Sequence, residues 1–140
     1  MKRMAGMGSL LALLGWIAME GSFAGAADRS PTIKEIMGKL NKGPKSLTYV
    51  VGKELKEDQP DWSQIQQQTR TYVELARGLG DQEPRKGSKD SWEKLSKAFA
   101  DNALALDQAA KKKDLPSAKQ AHARLAGSCR TCHSAHKAPF

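Results

Sequence analysis

The strongest constraint on the fold of this chain is a helical period in its apolar residues. In one stretch, apolar side chains recur at intervals of 3, 4, 4, 3 and 4 residues, at Trp92, Leu95, Phe99, Ala103, Leu106 and Ala110. That spacing places them on one face of an α-helix. No stretch of similar length alternates apolar and polar residues as a half-buried strand would. The pattern predicts an all-α chain.

The same spacing returns in the last segment, at Ala118, Ala121, Leu125, Cys129, Cys132 and His136. A third apolar stripe follows Asp61, and the earliest begins at a capping-box pattern formed by Thr32 and Glu35. Gly43-Pro44 interrupts this earliest stripe, which is therefore either one kinked helix or two short ones. Four amphipathic segments with short connections predict an antiparallel four-helix bundle.

The first residues have the layout of a secretory signal peptide. Lys2 and Arg3 precede a mainly apolar stretch, and small residues around Ala26 follow it. The apolar stretch is shorter than the roughly 20 residues that a bilayer span needs. We expect a cleaved signal at 1–26, after Ala26 or Ala27, and a single domain at 27–140. The mature protein is then exported, to the periplasm or an equivalent space, without stable membrane insertion.

Cys129, Cys132 and His133 form the C-x-x-C-H pattern of c-type haem attachment. Two thiols three residues apart on a helix lie on one side, where they can bond to the two vinyl groups of one haem. The following imidazole then approaches the iron from the same side. The pattern predicts one covalent haem c, with His133 as the proximal ligand.

Three other interpretations of these residues fit less well. A thioredoxin-like dithiol normally opens a helix after a strand, whereas this pair closes a helical chain. A disulfide would close a very small loop with unfavourable helical geometry. A zinc site that added His136 would need adjacent residues of one helix to surround a tetrahedral ion.

The position of the motif suggests a family. A signal peptide, four helices and a C-terminal C-x-x-C-H resemble the cytochrome c-prime family, and Arg130 and Met37 add to the likeness. The resemblance implies a haem-containing four-helix bundle. It also implies a homodimer as one candidate assembly.

The remaining question is which group lies opposite His133. His122 and His136 are on the same side of the same helix and cannot reach the other face of the porphyrin. Met37 is the one methionine left after signal cleavage. In low-spin relatives of cytochrome c-prime a methionine at a similar place binds iron, so the resemblance implies that Met37 is the distal ligand. The alternative is that Met37 is an ordinary core residue.

The two alternatives for Met37 imply two different functions. With Met37 bound, the protein is a one-electron carrier of the low-spin, Met-ligated branch and not an enzyme. With an open site, it binds or senses small gases such as nitric oxide or carbon monoxide. The formal net charge of +8 favours an acidic redox partner, since nucleic acid is not expected outside the cell. Basic residues near the haem end would form the contact surface: Lys39, Lys42, Lys45, Arg130 and Lys137.

Overall fold

The computed structural model describes residues 29–137, which form five helices and, within that range, no strand. The helices are α1 (Ile33–Asn41), α2 (Leu47–Glu54), α3 (Trp62–Gly80), α4 (Lys89–Lys111) and α5 (Leu115–His136). The prediction of an all-α helical bundle is confirmed. The proposed signal peptide lies outside the described residues. Of the helices described, none combines the length and the apolar character that a membrane span requires.

The first apolar stripe is divided between two short helices, so the kinked-helix alternative is wrong. The predicted capping box is present before α1: the Thr32 side chain accepts from the Glu35 backbone, and Glu35 accepts from the Thr32 backbone at 2.8 Å. Gly43 then adopts a φ of +80°, which glycine tolerates best, and Pro44 follows it. Within residues 29–137 the four predicted segments therefore form five helices, because the first segment is divided in two.

The two long helices α3 and α4 form an antiparallel hairpin. The Gln66 side chain donates to the Ala110 carbonyl near one end, and Tyr72 packs on Phe99 with ring centroids 6.0 Å apart further along. Residue numbers thus rise along α3 as they fall along α4. Asp61 and Ser88 cap the two helices.

Helix α5 returns along α4 after a tight turn at Lys113, whose φ is +55°. Asp114 caps α5, and Pro116 occupies its first turn. Helices α1 and α2 pack mainly against α3, and α2 also reaches α5. No Cα atom of α1 lies within 8 Å of a Cα atom of α5. The first and last helices of the bundle are therefore not in direct backbone contact.

One apolar core joins all five helices. The predicted faces are confirmed by fully or nearly fully buried side chains in each long helix, among them Ile65, Tyr72, Ala76, Trp92, Ala103, Leu106, Ala118 and Leu125. Leu95 and Trp62 are only partly buried. Met37 and Cys132 lie at the border of this core and pack against it.

Candidate haem-attachment site

Cys129 and Cys132 lie one turn apart on α5, and both are free thiols. Each is partly buried, whereas the neighbouring His133 is exposed. The Cys129 thiol donates to the Leu125 carbonyl at an Sγ–O distance of 3.7 Å. The helical geometry thus presents the two sulfur atoms on one side and leaves the imidazole accessible, as attachment to a single haem requires.

Burial raises the pKa of the Cys132 thiol, and the charge on Cys129 raises it further. Both effects disfavour the thiolate, which is the form that binds metals and reacts in dithiol redox chemistry. No group of three or more potential metal ligands from His, Cys, Asp and Glu occurs among residues 29–137.

The heights of the site residues along the bundle follow from contacts with Tyr72 of α3. The Tyr72 hydroxyl is 2.9 Å from the Thr48 hydroxyl, which in turn donates to Asn41 at the end of α1. On α5, the His122 ring lies 2.9 Å from the Thr48 carbonyl, so Asn41 and His122 lie near the same level of the bundle. Cys129 follows His122 by seven residues, which is about 10 Å further along α5.

From Asn41 towards its own N-terminus, α1 approaches the C-terminal end of α3. Met37 precedes Asn41 by four residues, which is about 6 Å along a helix. The neighbouring Ile36 side chain lies beside Gly78, close to the C-terminal end of α3. Met37 is thus about one turn from the Tyr72 level, in the direction of that end.

Helix α5 runs in the same direction from Cys129. His133 follows Cys129 by four residues, and His136 then packs edge-on against Trp92 at the start of α4, beside the end of α3. His133 is therefore further from the Tyr72 level than Met37 is, in the same direction. Contacts made by other residues thus place Met37 and His133 towards one end of the bundle, on two helices without direct backbone contact.

His136 has a structural role that the sequence analysis left open. Its Nδ1 donates to the Lys86 carbonyl at 2.8 Å, and its Nε2 is 3.0 Å from the Ser91 hydroxyl. Both ring nitrogens thus have hydrogen-bond partners. Gly87 is the feature of the sequence that could have indicated this role, because a Cβ there would collide with the His136 ring.

His122 joins α5 to α2. Its Nε2 lies 2.9 Å from the Thr48 carbonyl, and its ring fills the space beside Gly52. A Cβ at Gly52 would lie 2.7 Å from the ring. The side chain is half-buried and belongs to a helix contact below the motif, so it is not brought to His133.

The residues present fit a covalently attached haem. The donor set comprises two free thiols on one side of α5 and an accessible imidazole. The separation of α1 from α5 leaves the facing helices without direct backbone contact at this level.

Comparison with known families gives an independent result. Residues 87–137 match the Cytochrome C' family. The match spans α4 and α5 and includes Cys129, Cys132 and His133, and it supports a c-type cytochrome with covalent haem c. It does not reach Met37, so it says nothing about the distal ligand. Searches of curated proteins and of solved structures gave no match.

Proposed function

We propose that the protein is an exported mono-haem c-type cytochrome that transfers single electrons. In this proposal Cys129 and Cys132 hold the haem through thioether bonds, His133 is the proximal iron ligand and Met37 is the distal one. The observation that carries the proposal is that His133 and Met37 lie towards the same end of the bundle, on separate helices without direct backbone contact. The family match to α4 and α5 supports the proximal half of the site.

The haem supplies one-electron redox chemistry, and the protein residues determine its setting. Two covalent bonds from α5 keep the group attached to a small protein. Histidine and methionine together favour a high reduction potential. Met37 and Cys132 both pack against the apolar core, which lowers the polarity of their surroundings. No bond-making step is proposed, so the protein is a carrier and not an enzyme.

The proposed location follows from the signal peptide, and the proposed partner follows from the basic residues predicted near the haem. The proposed signal at 1–26 directs the chain to the periplasm or an equivalent space. The basic residues predicted near the haem end are all exposed in the fold: Lys39, Lys42, Lys45, Arg130 and Lys137. They suit a redox partner with an acidic surface. A homodimer remains a further proposal that the family resemblance suggests.

A second candidate function rests on the surroundings of Met37. Its side chain packs against the apolar core beside Leu40, as that of an ordinary core residue does. In this second candidate the packing keeps the thioether in the core, and the distal position is open. The protein would then bind small gases such as nitric oxide or carbon monoxide.

Visible absorption spectra of the protein made in a host that attaches haem c test both candidates. We expect a low-spin ferric spectrum for the natural protein and a high-spin spectrum for Met37→Ala, because alanine offers no ligand. Leu40→Ala is the matched control, since it truncates a buried neighbour on the same helix and should stay low-spin. A high-spin natural protein that Met37→Ala leaves unchanged would favour the gas-binding function.

The attachment itself has a separate test. Replacing both Cys129 and Cys132 with alanine should give protein from which acidic solvent extracts all haem. The natural protein should keep its haem under the same treatment. Colourless natural protein with two free thiols would contradict the proposed function.

A further inference from the structure

The Met37 thioether is one end of a chain of hydrogen bonds that crosses three helices. The Asn41 amide nitrogen lies 3.9 Å from Met37 Sδ within α1. The Asn41 amide oxygen lies 2.9 Å from the Thr48 hydroxyl of α2. That hydroxyl lies 2.9 Å from the Tyr72 hydroxyl of α3.

Every bond in this chain has one permitted direction. The Asn41 amide oxygen can only accept, so Thr48 must donate its single hydroxyl proton to it. Thr48 then has only lone pairs to offer Tyr72, and Tyr72 is the donor. A flipped Asn41 would place its oxygen against the Met37 sulfur, where neither atom can donate. All four groups are satisfied only when the donors run from Tyr72 towards Met37.

The far end of the chain is firmly held. Tyr72 is 1% exposed and packs on Phe99 of α4. Burial raises the pKa of Tyr72 to about 12, so its hydroxyl keeps the proton that it donates. The chain therefore connects Met37 to a buried side chain of the core.

We propose that Asn41, Thr48 and Tyr72 are positioning residues that fix the orientation of the Met37 thioether towards the haem iron. This inference rests on the proposed role of Met37 as the distal ligand. A methionine side chain has three rotatable bonds and adapts easily to its surroundings. A donor on one sulfur lone pair restricts that freedom and leaves the second lone pair for the iron.

A positioning residue and a residue that only stabilises the fold affect different measurable properties. A residue that only stabilises the bundle changes the free energy of unfolding and leaves the iron–sulfur bond of the folded protein unchanged. A positioning residue changes how readily another ligand displaces the Met37 sulfur. Imidazole is a suitable probe, because it must displace that sulfur to bind the ferric haem.

The decisive variant is Thr48→Val, which replaces the hydroxyl with a methyl group of similar size. Loss of one hydrogen bond in the chain should tighten imidazole binding by about two- to tenfold. It should also weaken the charge-transfer absorption of the iron–methionine bond. Thr48→Ser keeps the hydroxyl and should restore both properties to those of the natural protein.

The two tyrosines provide a matched pair of smaller changes. Tyr72→Phe removes one buried oxygen at the start of the chain and should tighten imidazole binding in the same direction as Thr48→Val. Tyr49→Phe makes the identical change at a side chain that is 56% exposed and should have no effect. If Thr48→Val does not fold, as judged by circular dichroism, Tyr72→Phe decides the question.

Met37→Ala separates this inference from the proposed function. If Met37→Ala tightens imidazole binding but Thr48→Val and Tyr72→Phe both match the natural protein, the positioning role is wrong and the proposed function stands. If the natural protein is high-spin and Met37→Ala binds imidazole equally well, Met37 is not a ligand. That second result overturns the proposed ligand set as well as the positioning role.

Discussion

Asp107 shows how a single residue connects two helices in the bundle interior. Its carboxylate is 4% exposed, accepts from the Thr69 hydroxyl of α3 at 2.8 Å and pairs with Lys111 one turn later at 2.6 Å. The hydrogen bond joins α3 to α4, and the lysine reaches out to solvent from a buried partner. A buried carboxylate without partners would be strongly destabilising, so these two contacts are what allow its burial.

We predict that Asp107→Ala lowers the free energy of unfolding by about 1–3 kcal/mol, because it removes both contacts and leaves a cavity beside Thr69. Asp101→Ala is the matched control. Asp101 pairs with Lys97 at 2.7 Å on the same helix but is well exposed, so its loss should cost less than about 1 kcal/mol. Urea unfolding measures both, and equal costs would contradict the role of burial.

At the residue scale, the sequence predicted Cys129, Cys132 and His133 as the attachment site because their short-range spacing carries the chemistry. It could not predict the partners of Asp107. Thr69 is 38 residues away, and no local pattern links two polar residues that far apart in sequence. The same limit applies to Asn41, Thr48 and Tyr72, whose hydrogen bonds form only after three helices have packed.

At the scale of elements, the end of α5 is tied to the start of α4 through His136. The imidazole bonds to Lys86 and Ser91 and packs on Trp92, so it closes the bundle at the end that carries the haem motif. Gly87 makes this close approach possible. It has a φ of +87°, and a Cβ there would lie 2.8 Å from the Ala135 carbonyl oxygen and 2.6 Å from Cε1 of the His136 ring.

We predict that Gly87→Ala lowers the melting temperature more than Gly43→Ala does. Both glycines have positive φ angles, of +87° and +80°, so both variants carry a similar backbone strain. Only at Gly87 would the new methyl group also collide with α5, since nothing lies within 4 Å of a Cβ at Gly43. Thermal unfolding followed by circular dichroism compares them. Equal shifts would show that the collision relaxes without cost.

Helix prediction from the sequence succeeded where a long apolar stripe met clear caps, as in α3, α4 and α5. It left α1 and α2 undecided because a glycine and a proline can either kink a helix or end it. The positive φ of Gly43 and the N-cap position of Ser46 decide for two helices. The sequence placed His136 on the inner face of its helix. Its burial also depends on a contact with Lys86 in the loop before α4, which a helical period cannot predict.

At the scale of the whole molecule, the basic charge is distributed over the described surface, and its effect on function depends on position. Lys39 and Lys42 lie beside Met37 at the haem end, whereas Lys112 and Lys119 lie at the opposite end, near the turn between α4 and α5. Charges close to the site of electron entry steer a partner into a productive orientation. Distant charges contribute mainly to the net attraction, which salt screens.

We predict that replacing Lys39 and Lys42 with glutamine slows electron transfer to an acidic redox partner at low ionic strength. Replacing Lys112 and Lys119 removes the same charge and should slow it much less. The difference should shrink as salt is raised, because the Debye length falls to about 8 Å near physiological ionic strength. Stopped-flow rates at several salt concentrations test this. Equal effects of the two pairs would show that no contact surface exists at the haem end.

The sequence by itself determined the class of the fold and predicted the proximal side of the site. Helical period, caps and the C-x-x-C-H spacing are local properties, and each acts over a few residues. Only the tertiary structure decided that α1 makes no direct backbone contact with α5, that Met37 and His133 lie towards the same end of the bundle, and that a hydrogen-bonded chain from Tyr72 reaches the Met37 sulfur. These features depend on how separate helices pack, and packing brings together residues whose relation no local pattern records.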